Sequence, residues 1–532
     1  MIYFDNAPIF YWLIGYFLSG LLLFYALFKT LSTKLFLLLS VLLVVYMRLP
    51  VVIFNEELNP DESQMLSHAI TLAQDPVYWR SVDGTTIGPL DNYLLVAPHL
   101  FGFQIDYTSG RVMGLFCICN ALLFLFFALK NWFGDQQART MFLVPIIFLA
   151  FTQETDFVHY SSEQLPFLLL SIQIWLLSLL STRTLNFSRS LYFLGFIAGS
   201  IPFAKLQGVP IAMVLTFASI WIWYRRDKSY KALISLFAGC LTFPLVVFAC
   251  VTYYGLLSDV IDFYLFSNLM YTEGNSSRSM IGRFLAILDL SFDFKVFTGI
   301  LLLTFVGVII KIMRGAGKPQ NNGSLFMPVV LFFLAFASIY AVTKSGKDFV
   351  HYLYFCIPAW TLLAACFTVN LGKWNLLFPC LILLVFFIND FLGYRRELRF
   401  NNYASEYPSK PSHSPVIREL KKYTSDGDYL VVWGWNCGYY VQAQLAHGTA
   451  ENHSERSIVE SVLLDRYRDR YISDIKRTKP TVFLDATGKN SLWLQNRVIH
   501  GHHTFLELRD YIRTHYRYMG DFDGTRMYLR KI

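Results

Sequence analysis

The chain has 532 residues, 55% of them hydrophobic and only 15% charged, with mean hydropathy +0.43 and a net charge of +8. Soluble domains carry roughly a quarter charged residues, so this composition excludes a soluble globular protein and points to a polytopic α-helical membrane protein. The modest positive balance forms no long basic tract, and no nucleic-acid partner is expected.

Asp5, and no Lys or Arg, precedes the first apolar run, so no cleavable signal is expected. Apolar runs near 9–28, 35–54, 111–129, 141–156, 164–181, 190–205, 208–224, 232–254, 296–313, 325–343, 349–369 and 375–393 predict about twelve transmembrane helices. Several are short for a hydrocarbon core of roughly 30 Å. Basic residues occupy every second connection: Lys29 and Lys34, Lys130 and Arg139, Arg183 and Arg189, then Arg225, Arg226, Lys228 and Lys231. Lys311, Arg314 and Lys318, and finally Lys373, continue the alternation. The positive-inside rule makes those connections cytoplasmic. The others, including outer loops 55–110 and 255–295, then face outward, as do both termini. A multi-pass protein of a bacterial inner membrane, with loops and C-terminal domain outside the cytoplasm, is the expected setting.

Within the first outer loop, Met65, Ala69, Leu72 and Ala73 have the spacing of an amphipathic helix lying on a membrane face. Stretch 256–270 has the same character, and both are expected to wall an outward cavity. Past residue 394 the composition becomes charged and histidine-rich. This divides the chain into a transmembrane domain, 1–394, and a soluble α/β domain, 395–532. Ser-Pro at 414–415 signals a helix start. "YLVVWGW" (429–435) and "TVFLDA" (481–486) read as buried strands, and 505–515 as a helix. A short parallel or mixed sheet is expected. Seven of the eight cysteines lie in apolar segments, Cys437 being the exception, and their spacing forms neither a disulfide framework nor a zinc ligand set.

Ionisable residues concentrate at the outer ends of the predicted helices in four stretches. These are "NPDE" (59–62) with the loop after it, "FTQETDFVHYSSEQLPFLLL" (151–170), "IPFAKLQGVP" (201–210) and "TKSGKDFVHYLYFCIP" (343–358). Acids dominate the first two and bases the last two. Any one of them could merely snorkel or fix topology, but all four converge on one side, which favours function. Carboxylates facing lysines at an outer membrane surface suit sugar transfer from a polyprenyl-phosphate donor. A carboxylate takes the proton of an attacking hydroxyl, and cations stabilise the departing phosphate.

The order of Arg48, "NPDE", "GPLDNYLL", "FAKLQGVP" and "TKSGKDFVHYLYFCIP" resembles the GT-C glycosyltransferases, in the branch of aminoarabinose transferases and protein O-mannosyltransferases. The similarity covers roughly residues 35–394. It implies Asp61 as general base with Glu62 its neighbour, and a second loop carboxylate supplied by Glu163 or Asp156. It further implies that Lys205, Lys344, Lys347 and His351 bind the donor phosphate. Tyr352, which matches the branch's Tyr–Pro spacing with Pro358, and His159 are further substrate-binding candidates. Arg111 either assists them or anchors topology. The expected partners are the lipid-linked donor, an extracytoplasmic acceptor (lipid, glycan or protein) and the bilayer. A divalent cation is left open, since no ligand spacing demands one.

"DFD" (521–523) reads as a turn rather than a metal motif, and "HGHH" (500–503) as a solvated loop. "NSS" (275–277) is a sequon only in a glycosylating host. Two other classes fit the composition: a flippase for lipid-linked saccharides, and a non-catalytic cell-envelope assembly protein. Neither a halfway repeat nor midplane charges support the first, and the second leaves Lys205 unexplained.

Overall fold

The computed structural model describes residues 2–4, 10–28, 31–84, 86–182, 186–271, 278–313, 326–369, 371–403, 406–407 and 414–531. Asp5, Lys29, Arg183, Arg314, Lys318 and the Asn275 sequon lie outside them. The chain forms two compact units. One comprises Met1–Phe54, Gly114–Phe248 and Thr272–Ser409; the other comprises Asn55–Met113, Ala249–Tyr271 and Lys410–Ile532.

In the first unit each apolar run becomes helical. Among the described residues, ten helices of the chain are long and apolar enough to cross a membrane. The two remaining runs form shorter helices, Asp135–Phe151 of 17 residues and Phe187–Ser200 of 14. Helix 135–151 is buried without a break from Gln137 to Phe151. A helix apolar all round belongs inside a bundle, and this one packs against helices Phe10–Phe28, Thr33–Val52, Ile357–Thr368 and Leu377–Glu397. Helix 187–200 crosses helix Tyr230–Tyr253 at Gly195, Gly199 and Gly239, where a Cβ would strike the facing backbone. Small residues at such a crossing let two helices approach closely without a hydrophobic drive.

The second unit is built on a five-stranded mixed sheet. Its order is Ala446–His447, Tyr429–Trp433, Val482–Asp485, Thr525–Arg530 and Tyr516–Phe522. The first three strands are parallel and the last two antiparallel. Alternate side chains face opposite layers. Leu430, Val432, Val482 and Leu484 pack with helices Pro415–Leu420 and Gly438–Ala443. Val431, Trp433 and Phe483 pack with helices Leu464–Thr478 and Leu506–His515. The Ser-Pro start holds as read, with Ser414 Oγ accepting from Ile417 N at 3.3 Å.

Two readings change. Helix Pro60–Gln74 exists, but Glu62 through Leu72 are all buried, polar residues included. It is therefore a core helix of this unit, packed on helix Pro89–Leu100, helix 438–443 and strand 446–447. An apolar stripe on a surface helix was the wrong template because protein covers its polar side as well. The HGHH stretch is likewise not simply solvated: His502 is buried and its Nδ1 lies 2.7 Å from Asp485 Oδ2. By contrast, 256–270 keeps its two-faced character. It runs through Leu257–Asp259, a π-helical Val260–Phe266 and Ser267–Tyr271, burying Phe263, Tyr264 and Ser267 while exposing Ile261, Leu265 and Leu269. DFD closes the hairpin of the last two strands. Asp523 (φ 51°) and Gly524 (φ 85°) take the left-handed conformations a tight two-residue turn demands.

Candidate active site

In the first unit, two short 3₁₀ turns, Ile201–Phe203 and Leu206–Gly208, bracket Lys205 and hold its backbone extended. The buried Lys205 Nζ donates to Glu163 and, at 2.5 Å, to Ser162 Oγ. It also lies over the Tyr352 ring, 5.1 Å from its centre. Lys205 is 3% and Glu163 0% exposed, so each charge relies on the other for compensation. Burial opposes ionisation of Glu163, but Lys205, with His351 and His159 beyond it, outweighs that and holds the carboxyl below its ordinary value.

Val350–Cys356 form a 3₁₀ helix whose every side chain is buried. His351 Nδ1 lies 3.0 Å from Asp156 Oδ1. Its ring stacks on Phe349 and meets the His159 ring edge-on at 5.8 Å. Burial works against the Asp156 charge, and the hydrogen bond and charge of His351 overcome it, leaving the carboxyl below its ordinary range. Tyr354 Oη ties this helix to the acidic loop through Phe157 O at 2.7 Å. Asp156, His159, Glu163, Lys205, His351 and Tyr352 thus gather in one cluster drawn from three of the four stretches. Lys344 and Lys347 stand exposed on the preceding turn.

In the second unit, Asn59 caps helix 60–74 by accepting from Asp61 N at 3.0 Å, and Pro60 opens its first turn. Asp61 and Glu62, in that turn, favour the positive end of the helix dipole. Their surroundings differ sharply. Glu62 is fully buried and receives Arg111 Nε and Nη2, each at 2.7 Å, together with Leu58 N at 3.2 Å. Asp61 is half-buried, and among the described residues no hydrogen bond or ion pair reaches its carboxylate.

The sequence reading missed Glu57, although it stands only four residues before Asp61. Glu57 accepts from Ser63 Oγ, which also lies 2.7 Å from Tyr107 Oη. Burial raises the Glu57 carboxyl above its ordinary value, with Glu62 and Asp61 adding to the effect against the Ser63 hydrogen bond. The tail adjoins this group: a Cβ on Gly438 would lie 3.3 Å from Glu57 Oε2. In the first unit Arg48, quoted above only as part of a pattern, is buried with none of its guanidinium nitrogens hydrogen-bonded among the described residues. Unfilled buried donors of this kind are rare and call for an explanation. Among the described residues no group of three or more His, Cys, Asp or Glu side chains is arranged to hold a metal ion.

No protein-family model matches the sequence, and no curated protein matches it. Solved structures do. The chain has the fold of the GT-C membrane glycosyltransferases. It superposes on ArnT, the aminoarabinose transferase of Cupriavidus metallidurans, bound to undecaprenyl phosphate, with a TM-score of 0.60 at 11% identity, covering 93% of this chain and 98% of that one. The apo form of the same protein gives 0.56 at 11% identity over 92% and 97%. At that identity the likeness is one of fold.

Proposed function

We propose that the chain transfers a sugar from a polyprenyl-phosphate donor to a hydroxyl-bearing acceptor outside the cytoplasm, with Asp61 as the general base. The observation that carries this reading is the division of labour between two adjacent acids. Arg111 neutralises Glu62, whereas Asp61 is partly exposed and keeps its carboxylate unclaimed among the described residues. A base must be free to accept a proton. In the step proposed, the acceptor oxygen bonds to the anomeric carbon while the bond from that carbon to the phosphate oxygen breaks. The acceptor proton passes to Asp61, and the polyprenyl phosphate leaves as an anion.

Lys205, His351, Lys344 and Lys347, with Tyr352 and His159 beside them, are assigned to the donor phosphate. Glu163 holds the buried Lys205 and Asp156 the buried His351 ring in place until phosphate arrives. In this reading Arg111 positions Glu62 rather than binding donor. The ArnT structure with bound undecaprenyl phosphate supports a lipid-phosphate donor by likeness of fold. The soluble part, 395–532, is assigned to the same outer face as loop 55–110, which shares a compact unit with its residues from Lys410 onward.

The test is to incubate membranes containing the protein with candidate polyprenyl-phosphate sugars and follow release of the lipid phosphate. Wild type releases carrier from one of them, and Asp61→Asn is slower by about 10²–10⁴-fold. Asp61→Asn working at the wild-type rate would remove the assigned base. Release from no donor at all would favour the flippase reading.

A further inference from the structure

Helices Val209–Arg226 and Phe326–Thr343 of the first unit leave a groove between them of about 770 Å³. That is the size of cavities that hold ligands of roughly 300–1,000 Å³. Phe217 and Trp221 line it from one helix at a spacing of four, and Val329 and Phe333 from the other at the same spacing. All four are exposed. Arg225, one further turn along, is the single charged residue of the lining among the described residues, and its guanidinium lies 5.9 Å from the Trp221 ring centre. The groove is therefore an oily trough with one cation at its end. Among the described residues no carboxylate pairs with that cation.

The donor described above does not account for it. Lys205 precedes helix 209–226, and Arg225 lies sixteen residues beyond its first residue, roughly 24 Å along the axis at 1.5 Å per residue. A lipid with one phosphate on Lys205 cannot set the same phosphate on Arg225. The charged end of the trough needs its own anion.

We propose that this groove is a binding site for a resident anionic glycerophospholipid, with one acyl chain between the two helices and the headgroup phosphate on Arg225. The apolar walls fit a hydrocarbon chain, and Arg225 selects a headgroup of net negative charge. Neighbouring cations strengthen the selection. Arg226, Lys228 and Lys231 follow Arg225 closely, and Arg189 and Lys231 line a separate polar hollow between helices 187–200 and 230–253. Each basic residue near a bilayer surface adds attraction to anionic lipid.

The full chain, reconstituted in nanodiscs of equal parts phosphatidylglycerol and phosphatidylcholine and then released into mild detergent, is read by native mass spectrometry for retained lipid. Wild type retains phosphatidylglycerol in preference. Arg225→Gln lowers the ratio of the two lipids by about fivefold, and Val329→Trp, which fills the trough, lowers retention of both. Lys34→Gln, an exposed basic residue on another helix, leaves the ratio unchanged. Equal retention by wild type, or an equal effect of Lys34→Gln, would overturn the site. Adding undecaprenyl phosphate leaves the bound phosphatidylglycerol in place. Its displacement would assign the groove to the carrier instead and overturn the proposal equally.

Discussion

Arg111 grips Glu62 with two parallel hydrogen bonds, Nε to Oε1 and Nη2 to Oε2, while a third bond from Nη2 reaches Glu56 O at 2.6 Å. The two side chains are 1% and 0% exposed, so water offers neither charge any help. Removing one partner of such a pair strands the other, at a cost of about 3–5 kcal/mol. Glu62→Ala is therefore expected to lower the unfolding midpoint strongly, whereas Asp61→Asn, with no partner to strand, changes stability by under about 0.5 kcal/mol. Thermal unfolding of the two purified variants separates an acid that holds the fold from an acid available for chemistry. Equal melting of both would refute the distinction.

Lys205 and Glu163 are expected to show coupling. Each single change, Lys205→Met or Glu163→Gln, leaves a buried charge uncompensated, while the double variant leaves none. The loss in the double variant falls short of the summed single losses by about 0.5–3 kcal/mol. In binding assays Lys205→Met weakens the donor more than the acceptor. Equal weakening of both would make the lysine structural.

Three buried histidines make the second unit acid-sensitive. Burial pushes His68, His447 and His453 down to about 3, with His453 adding to the effect on His68, His68 to that on His447, and Arg456 to that on His453. In the unfolded chain each titrates near its ordinary 6.5. Between those values the unfolded state binds more protons, so stability is full above pH 6.5 and is lost as pH falls towards 3. The slope approaches about 1.4 kcal/mol per pH unit for each ring. Melting curves from pH 7.5 to 4.5 are expected to fall, and His447→Gln to fall less steeply. An unchanged slope in that variant would show that another group titrates.

Glu451 acts in the opposite direction. Burial lifts its carboxyl to about 8, with Asp83 helping and Arg470 opposing at 3.9 Å. Arg470 is already committed to Asp83 and to the Phe263 ring, 3.6 Å from its centre. Here the folded state binds the extra proton, so stability is full below about 4.5 and is lost as pH rises through 8. Glu451→Gln, which mimics the protonated form, is expected to melt above wild type at pH 8.5 and level with it only at about pH 4, below the unfolded carboxyl's ordinary 4.5. A variant less stable than wild type at both pH values would mean that the carboxylate form is the one folded into place.

Most of the helical architecture was legible because a membrane span announces itself by length and hydropathy. The strands at 429–433 and 482–485 were equally plain, since a strand buried on both faces reads as a continuous apolar run. The cluster of Asp156, Glu163, Lys205 and His351 was legible as four acidic and basic outliers in apolar surroundings. What was hidden is who pairs with whom. Glu163 choosing Lys205, and His351 choosing Asp156, are contacts across 42 and 195 residues of chain. The fully buried character of helix 60–74 was hidden for the same reason: its Met65–Ala69–Leu72 stripe accounts for one side, and distant segments, 438–447 among them, cover the rest.

By itself the sequence determined that this chain is helical, membrane-spanning and acidic and basic at particular helix ends, because hydropathy and charge are properties of neighbouring residues. Only the tertiary structure decided which of two adjacent carboxylates is neutralised. Asp61 and Glu62 are one residue apart and chemically alike. One helical step turns them about 100° from each other, and that rotation alone brings Arg111 to Glu62 and leaves Asp61 open.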